Sequence, residues 1–164
     1  MRRKFLAFAF VIAFVHAGCG ADNSTANSAP PNSPTKTSTL ESKIMKIRLK
    51  VENKVMTATL IESKTSRDFI SLLPLTLTMN DLFHREKFAH LPRAISEEGK
   101  RTHSYEVGQM VYWSPGPDVA IFYRNDGEKI PNPGIIVIGK IDSGVAALDV
   151  AGSVKVTIEL HDEQ

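Results

Sequence analysis

Aromatic and charged residues at the ends of two apolar runs are the strongest candidates for binding chemistry in this sequence. Tyr112 and Trp113 end one run, and Tyr123 ends the next, directly before Arg124. Because side chains alternate between the faces of a strand, one residue of each pair can reach a cleft while the other fills the core. Glu86 adds a carboxylate for a cleft anchor or a surface pair. These five residues are the predicted ligand-binding site, and core packing is the alternative for each aromatic ring.

Other reactive residue types lack the spacing of a catalytic or metal site. His84, His90, His103 and His161 are too far apart in the sequence for a zinc site. Serine and histidine occur without the nucleophile-elbow context of an acyl-transfer triad, and no glycine-rich phosphate loop is present. We therefore predict no metal and no cofactor, and the sequence leaves open whether the protein is an enzyme.

The first 18 residues have the composition of an export signal. Met1 is followed by three basic residues, and residues 5–15 are apolar without a charge. A run of roughly 11 apolar residues is too short for a membrane span, which needs about 20. Residues 1–18 are therefore a predicted signal peptide, and the protein is expected to be exported.

Cys19 is the only cysteine, and it directly follows Ala17 and Gly18. This arrangement resembles the lipobox of bacterial lipoproteins, although His16 stands where that pattern usually has leucine. The resemblance implies a diacylglyceryl anchor on Cys19, which would attach the protein to a membrane of the bacterial cell envelope, as a periplasmic or outer-surface lipoprotein. Ordinary secretion with a free thiol is the alternative. Since one cysteine cannot form a disulfide within the chain, stability must come from the core.

The segment after Cys19 predicts a tether. Residues 19–42 consist mainly of Ser, Thr, Asn, Pro and Ala, so they cannot bury enough apolar surface to offset their ordering entropy. Without the three basic residues of the signal peptide, 17 basic residues face 18 acidic ones, a net charge near −1. No basic surface for nucleic acid follows from this balance.

Residues 43–164 suffice for one domain and not two. Apolar and basic residues alternate through Met45–Val51, residues 52–54 form a turn, and 55–61 read as the return strand of a hairpin. Thr65 and Ser66 predict a capped short helix with Asp68 near its positive end, and Pro74 stops it.

Several more short strands are predicted along the rest of the domain. Strong turn signals separate the runs, which predicts an all-β barrel or sandwich, with one further short helix around 143–148. The remaining apolar runs are 75–79, 110–113, 119–123, Ile135–Ile141 and Val154–Leu160.

A set of short motifs, in order and at compatible spacings over about residues 45–159, resembles a family of small bacterial cyclophilin-like proteins. The resemblance implies a closed β-barrel of about eight strands with one or two short helices and a cleft on its surface. For most relatives it implies no established activity. The matching motifs are 65–69, 72–77, Asp81, Glu86-Lys87, Leu91-Pro92, Tyr112-Trp113, 121–123 and 138–144.

Arg85 is the catalytic candidate that the resemblance brings. True cyclophilins are peptidyl-prolyl isomerases, in which an arginine donates a hydrogen bond near the proline nitrogen and an apolar pocket holds the ring. Phe83-His84-Arg85 is the tripeptide that carries that arginine there. Here Glu86 follows it, with no Gln-Gly-Gly stretch. The alternative for Arg85 is a solvated arginine in a loop between Asp81 and Glu86.

Three functions from different classes fit these observations. The favoured one is a tethered module that binds a peptide or a small molecule in a barrel cleft. The second is a peptidyl-prolyl isomerase acting on exported chains, which rests on fold analogy. The third is a structural protein of the envelope. The sequence does not predict the oligomeric state.

Overall fold

The computed structural model describes residues 45–161, so the predicted signal peptide (1–18), Cys19 and the tether (19–42) lie outside the described residues. Within the described part no helix is long and apolar enough to cross a membrane. Helix α1 spans Lys64–Ile70, and a short 3-10 helix spans Val145–Leu148. The strands are β1 (Met45–Val51), β2 (Lys54–Leu60), β3 (Leu75–Leu82), β4 (Glu86–His90), β5 (Arg101–Thr102), β6 (Gln109–Trp113), β7 (Asp118–Phe122), β8 (Ile135–Ile141) and β9 (Val154–Leu160).

Eight of the described strands close into an antiparallel barrel. Their order is β2-β1-β9-β3-β4-β7-β6-β8, and pairing of β2 with β8 completes the ring. The two-residue strand β5 adds to β8. The predicted all-β barrel of about eight strands is therefore confirmed. The predicted amino-terminal hairpin is present as β1 and β2, paired from Met45↔Leu60 to Val51↔Lys54.

Helix α1 forms where the sequence predicts it, but its cap differs from the prediction. Ser63 is the N-cap, and its Oγ accepts a hydrogen bond from the Ser66 amide at 3.0 Å. Asp68 lies beyond the first turn, so the prediction of a helix-end charge is wrong. Its carboxylate accepts instead from Arg93 at 2.7 Å and from the Ser96 amide at 2.8 Å. Asp68 therefore ties the helix to the segment after β4.

Strands β6, β7 and β8 are covered on both faces. Their inner face belongs to the main barrel core, where Tyr112 and Ile121 are buried. Their outer face carries a second apolar cluster that includes Val111, Ala120 and Phe122. A free sheet face would be polar, so these strands are apolar on consecutive residues because a second layer covers them. The outer cluster forms the floor of the candidate site.

Candidate functional site

A groove of about 250 Å³ lies on the outer face of β4, β6 and β7. We call it the outer groove. Its residues are mostly apolar, and its volume is below the roughly 300–1,000 Å³ of pockets that enclose drug-sized ligands, so it suits one side chain or a small ring. The lining residues are Leu82, Phe83, Arg85, Glu86, Phe88, Val111, Trp113, Asp118, Ala120, Ile130, Pro131 and Ile135.

Arg85 is held at one end of this groove. Its guanidinium carbon lies 5.0 Å from the ring centre of Phe83 and 5.3 Å from that of Tyr105. Its Nε donates to Glu86 Oε1 at 3.3 Å, and its Nη1 donates to Asp126 Oδ2 at 3.1 Å. Two rings and two carboxylates therefore surround the charge and compensate its removal from water.

Arg85 lies in the turn between Asp81 and Glu86, as that alternative predicts, but the prediction that it is solvated is wrong, because only 7% of the residue is exposed. Its backbone is held at the end of the turn before β4, where the Arg85 carbonyl accepts from the amides of Tyr123 at 2.9 Å and Arg124 at 3.1 Å. These contacts place the guanidinium against the groove wall. Its Nη2 has no hydrogen-bond partner among the described residues.

Glu86 begins β4 and points to the outer face, beside Arg85. It is 7% exposed, and among residues 45–161 the Arg85 guanidinium is its hydrogen-bond partner. Burial raises the pKa of this carboxyl, and the nearby Arg85 opposes the rise without cancelling it. A carboxylate can accept about four hydrogen bonds, so most of the acceptor capacity of Glu86 is unused.

Asp118 and His90 lie at the other end of the groove, and the sequence analysis did not select either as a site residue. Their register is His90↔Asp118, against Glu86↔Phe122 at the first end. Four residues along the paired strands, about 13 Å of backbone, separate the two positions. The His90 ring contacts Asp118 Oδ1 and lies 2.9 Å from the Gly116 carbonyl. Burial raises the pKa of Asp118, and His90 opposes the rise.

The turn between β3 and β4 places an aromatic ring at the groove edge. Phe83 and His84 both have a φ of 55°, in the left-handed region that side chains rarely adopt. Phe83 is 69% exposed although it is large and apolar. The Asp81 carboxylate accepts from the His84 amide at 3.0 Å and holds the turn. Strain combined with an exposed aromatic ring is typical of ligand-contact sites.

Two of the five predicted ligand-binding residues, Glu86 and Trp113, line the outer groove. Tyr112, the neighbour of Trp113, points into the barrel and is 1% exposed. Its hydroxyl accepts a hydrogen bond from the Ile95 amide at 3.3 Å. Strand alternation thus divides this pair between groove and core. The roles of Glu86 and Trp113 in binding stay predictions.

Tyr123 and Arg124 lie outside the groove. The Tyr123 hydroxyl donates to Asp81 Oδ2 at 2.6 Å, and the Arg124 guanidinium pairs with Asp149 at 2.8 Å. Both residues follow β7 at the end of the barrel, where Tyr123 is buried and Arg124 is exposed. Their contacts account for packing and surface pairing, so they are not part of the site proposed below.

Lys87, between Glu86 and Phe88, is fully buried on the opposite face of β4. Its Nζ donates to Asp81 Oδ2 at 2.7 Å and to the carbonyls of Val150 and Gly152 at 2.6 and 2.7 Å. An ammonium has three N–H groups, and each has a partner here. Lys87 therefore ties β3, β4 and the loop before β9 together.

Within residues 45–161, no three metal-ligating side chains come together.

Both the sequence and the fold of this protein are similar to those of known proteins. Residues 49–159 match the cyclophilin-like family. The solved structure of a hypothetical protein from Archaeoglobus fulgidus is similar, with a TM-score of 0.58 and 25% identity over 71% of this chain and 94% of that one.

A cyclophilin-type peptidyl-prolyl cis-trans isomerase from Cryptosporidium parvum is also similar in structure. Its TM-score is 0.55, over 74% of this chain and 99% of that one. At 13% identity the likeness shows a shared fold alone. No curated protein matches the sequence.

Proposed function

Because the chain belongs to the cyclophilin-like family, we propose that its barrel is a binding module that receives a peptide or a small ligand in the outer groove. One observation carries this proposal. Glu86 is a buried carboxylate with a single hydrogen-bond partner among the described residues, and it lines an apolar concave surface.

Most hydrogen-bond acceptor positions of the Glu86 carboxylate are unused among the described residues. Burying a charged group is costly unless hydrogen bonds compensate it, and nearly all buried polar groups in proteins have partners. Glu86 keeps unused acceptor sites next to Trp113 and Phe88, which supply apolar contact. A ligand with an apolar body and a hydrogen-bond donor would satisfy the carboxylate and cover the apolar floor. A few placed polar groups within an apolar lining are typical of small-ligand sites.

A peptidyl-prolyl isomerase is the second candidate, and the position of Arg85 favours it. The guanidinium lines an apolar groove and has an Nη2 with no partner among residues 45–161. Such a donor next to an apolar pocket is what the isomerases of the wider fold use. However, carboxylates already hold its Nε and Nη1. We therefore place binding ahead of catalysis.

Fluorescence of Trp113, the only tryptophan, tests the binding proposal directly. Titration with an acetylated Ala-Ala-Pro-Ala amide and with small amines should shift its emission saturably. Glu86→Ala should weaken binding by about 2 kcal/mol, the loss typical of a residue that dominates a binding site. Glu159→Gln, on the exposed side of β9, is the matched control and should change nothing. Unchanged affinity in a folded Glu86→Ala variant would remove this site.

A protease-coupled peptide assay separates the two candidates. Uncatalysed prolyl isomerisation takes tens to hundreds of seconds, so a competent isomerase is readily detected. We expect little or no acceleration by the wild-type protein. If the wild-type protein accelerates isomerisation and Arg85→Ala abolishes this activity, the protein is an isomerase and the binding-module proposal is wrong.

We further propose that Cys19 carries a lipid that attaches the module to the envelope, with residues 20–42 as the spacer. The proposal rests on Cys19 and the small residues before it. The wild-type chain expressed in a bacterium should incorporate radiolabelled palmitate, and Cys19→Ser should lose both the label and the membrane fraction. A soluble, unlabelled wild-type protein would show that the anchor is absent.

A further inference from the structure

We propose that the outer groove selects ligands that carry a positive charge on an apolar body, such as a lysine side chain of a peptide. This inference rests on the proposed binding function and names the class of ligand. It follows from the charges around the groove, from the aromatic rings that line it, and from the contacts that already occupy its one arginine.

The charges around the groove are unbalanced toward the negative. Glu86 and Asp118 line it, and Asp126 lies at its rim, 3.1 Å from Arg85. Arg85 is the only lysine or arginine that lines the groove among the described residues. His90 contacts Asp118, but its side chain is 75% exposed. Three carboxylates thus face one guanidinium, so a cation entering the groove experiences net attraction.

Arg85 is poorly suited to receive an anionic ligand. Its Nε and Nη1 already donate to Glu86 and Asp126, and the rings of Phe83 and Tyr105 flank its plane. A third carboxylate at the free Nη2 would be repelled by the two that already pair with Arg85, and this repulsion would offset much of the gain. The arrangement therefore discriminates against acidic ligands.

Glu86 and Asp118 both have unused hydrogen-bond acceptor positions. Glu86 accepts from Arg85 at 3.3 Å, which is a long hydrogen bond for a charged pair. Asp118 Oδ1 is buried against the His90 ring, which pairs with it, whereas Asp118 Oδ2 accepts no hydrogen bond from the described residues. An ammonium has three donors and no acceptor, so it complements these carboxylates.

Three aromatic residues, Phe83, Phe88 and Trp113, line the same groove. The face of an aromatic ring attracts a cation, and tryptophan does so most strongly. Phe83 is largely exposed at the groove edge, so its ring is available to a ligand. Between the two carboxylates the floor is apolar at Ala120 and Val111, where the aliphatic stem of a lysine can pack.

Three acetylated, amidated tripeptides of the form Ala-X-Ala test this inference on the full-length protein. X is lysine, norleucine or glutamate; norleucine keeps the aliphatic stem of lysine and lacks its charge. We expect the lysine peptide to bind at least tenfold more tightly than the norleucine peptide, and the glutamate peptide to bind most weakly. Trp113 emission reports binding, and an increase in salt should weaken the lysine peptide alone.

Two variants assign this preference to the carboxylates. Glu86→Gln should remove most of the difference between the lysine and norleucine peptides, and Asp118→Asn should reduce it if Glu86→Gln fails to fold. Glu159→Gln, far from the groove on β9, should retain the full difference. Circular dichroism of each variant separates loss of fold from loss of selectivity.

The outcome of the titration separates failure of the charge selection from failure of the binding function. Saturable binding with equal affinity for lysine and norleucine would overturn the charge selection and leave the binding module intact. Preference for the glutamate peptide would show that Arg85 receives anions. If none of the three peptides binds but the Ala-Ala-Pro-Ala amide does, the selection is wrong and the binding function stands; if that amide and the small amines also fail, both are wrong.

Discussion

The two faces of strand β4 hold charge in opposite ways. Glu86 and Lys87 are adjacent and both are buried, at 7% and 0% exposure. Glu86 points to the outer groove and has one hydrogen-bond partner among the described residues, whereas Lys87 points into the barrel end and has three. Burial alone therefore does not distinguish a charge whose hydrogen-bonding positions are all filled from one with open positions.

The number of satisfied hydrogen-bonding positions does distinguish them. Every N–H of the Lys87 ammonium has an acceptor, and its neighbour Asp81 also accepts from the Tyr123 hydroxyl at 2.6 Å. Such a closed network stabilises the fold and offers nothing to a ligand. The Glu86 side has open acceptor positions, a strained turn and a concave apolar surface. A substitution on the inner face should therefore affect stability, and one on the outer face should affect binding.

Lys87→Met gives the largest expected effect and tests the inner face. It removes the fully buried cation and three hydrogen bonds and leaves the partly buried Asp81 carboxylate without that partner, so we expect a loss of about 3–5 kcal/mol in the free energy of unfolding. Urea denaturation measures this loss, and Lys155→Met on the exposed face of β9 should change stability by less than about 0.5 kcal/mol. Affinity in the folded fraction should stay unchanged. A stable Lys87→Met variant with altered ligand affinity would reverse the comparison.

Phe83→Gly tests the outer face with a smaller effect on stability. Glycine relieves the left-handed strain, which costs a side-chain residue about 1–2 kcal/mol, and the lost ring is mostly exposed. We expect unchanged or slightly increased stability and at least a fivefold loss of affinity for the lysine peptide, a fold-change within the ~0.5–2 kcal/mol range of a cation–π contact.

His84→Gly is the matched control for Phe83→Gly, since His84 has the same φ of 55° but does not line the groove. It should stabilise the protein by about 1 kcal/mol in urea denaturation and leave affinity unchanged. If both variants lower affinity equally, the conformation of the turn matters and the Phe83 ring does not.

The smallest effect is a pH dependence at the groove rim. The Tyr105 hydroxyl is the main cause that lowers the pKa of Asp126 from 3.8 to about 2. Because the folded-state pKa lies below the unfolded value, Asp126 contributes stability above pH 3.8, and this contribution is lost as the pH falls toward 2.

Urea denaturation of the wild type and of Asp126→Asn across this range measures that contribution. The stability difference between them should shrink as the solution is acidified. Glu86 should act with the opposite sign, because its raised pKa favours protonation in the folded state. A stability difference that stays constant as the pH falls to about 2 would show that Asp126 contributes no ionisation-linked stability.

The local pattern of apolar and polar residues was sufficient to predict most of the strands. Alternation over Met45–Val51 predicted the first strand, and the five later apolar runs correspond to β3 and β6 to β9. Strand β4 was not predicted, because its sequence EKFAH begins with two charges and has no clean alternation. Residue type alone also pointed to Glu86 and Trp113, which line the groove.

Tertiary contacts decided the rest, because the partners are distant along the chain. Arg85 is buried by Asp126, 41 residues away, and Lys87 donates to Val150, 63 residues away. No local period relates such positions, so the sequence could not show that Arg85 is enclosed or that Lys87 is saturated. The sequence by itself determined most of the segments that form strands, because their apolar patterns are local. Barrel closure determined which partners the charges of β4 find on each face.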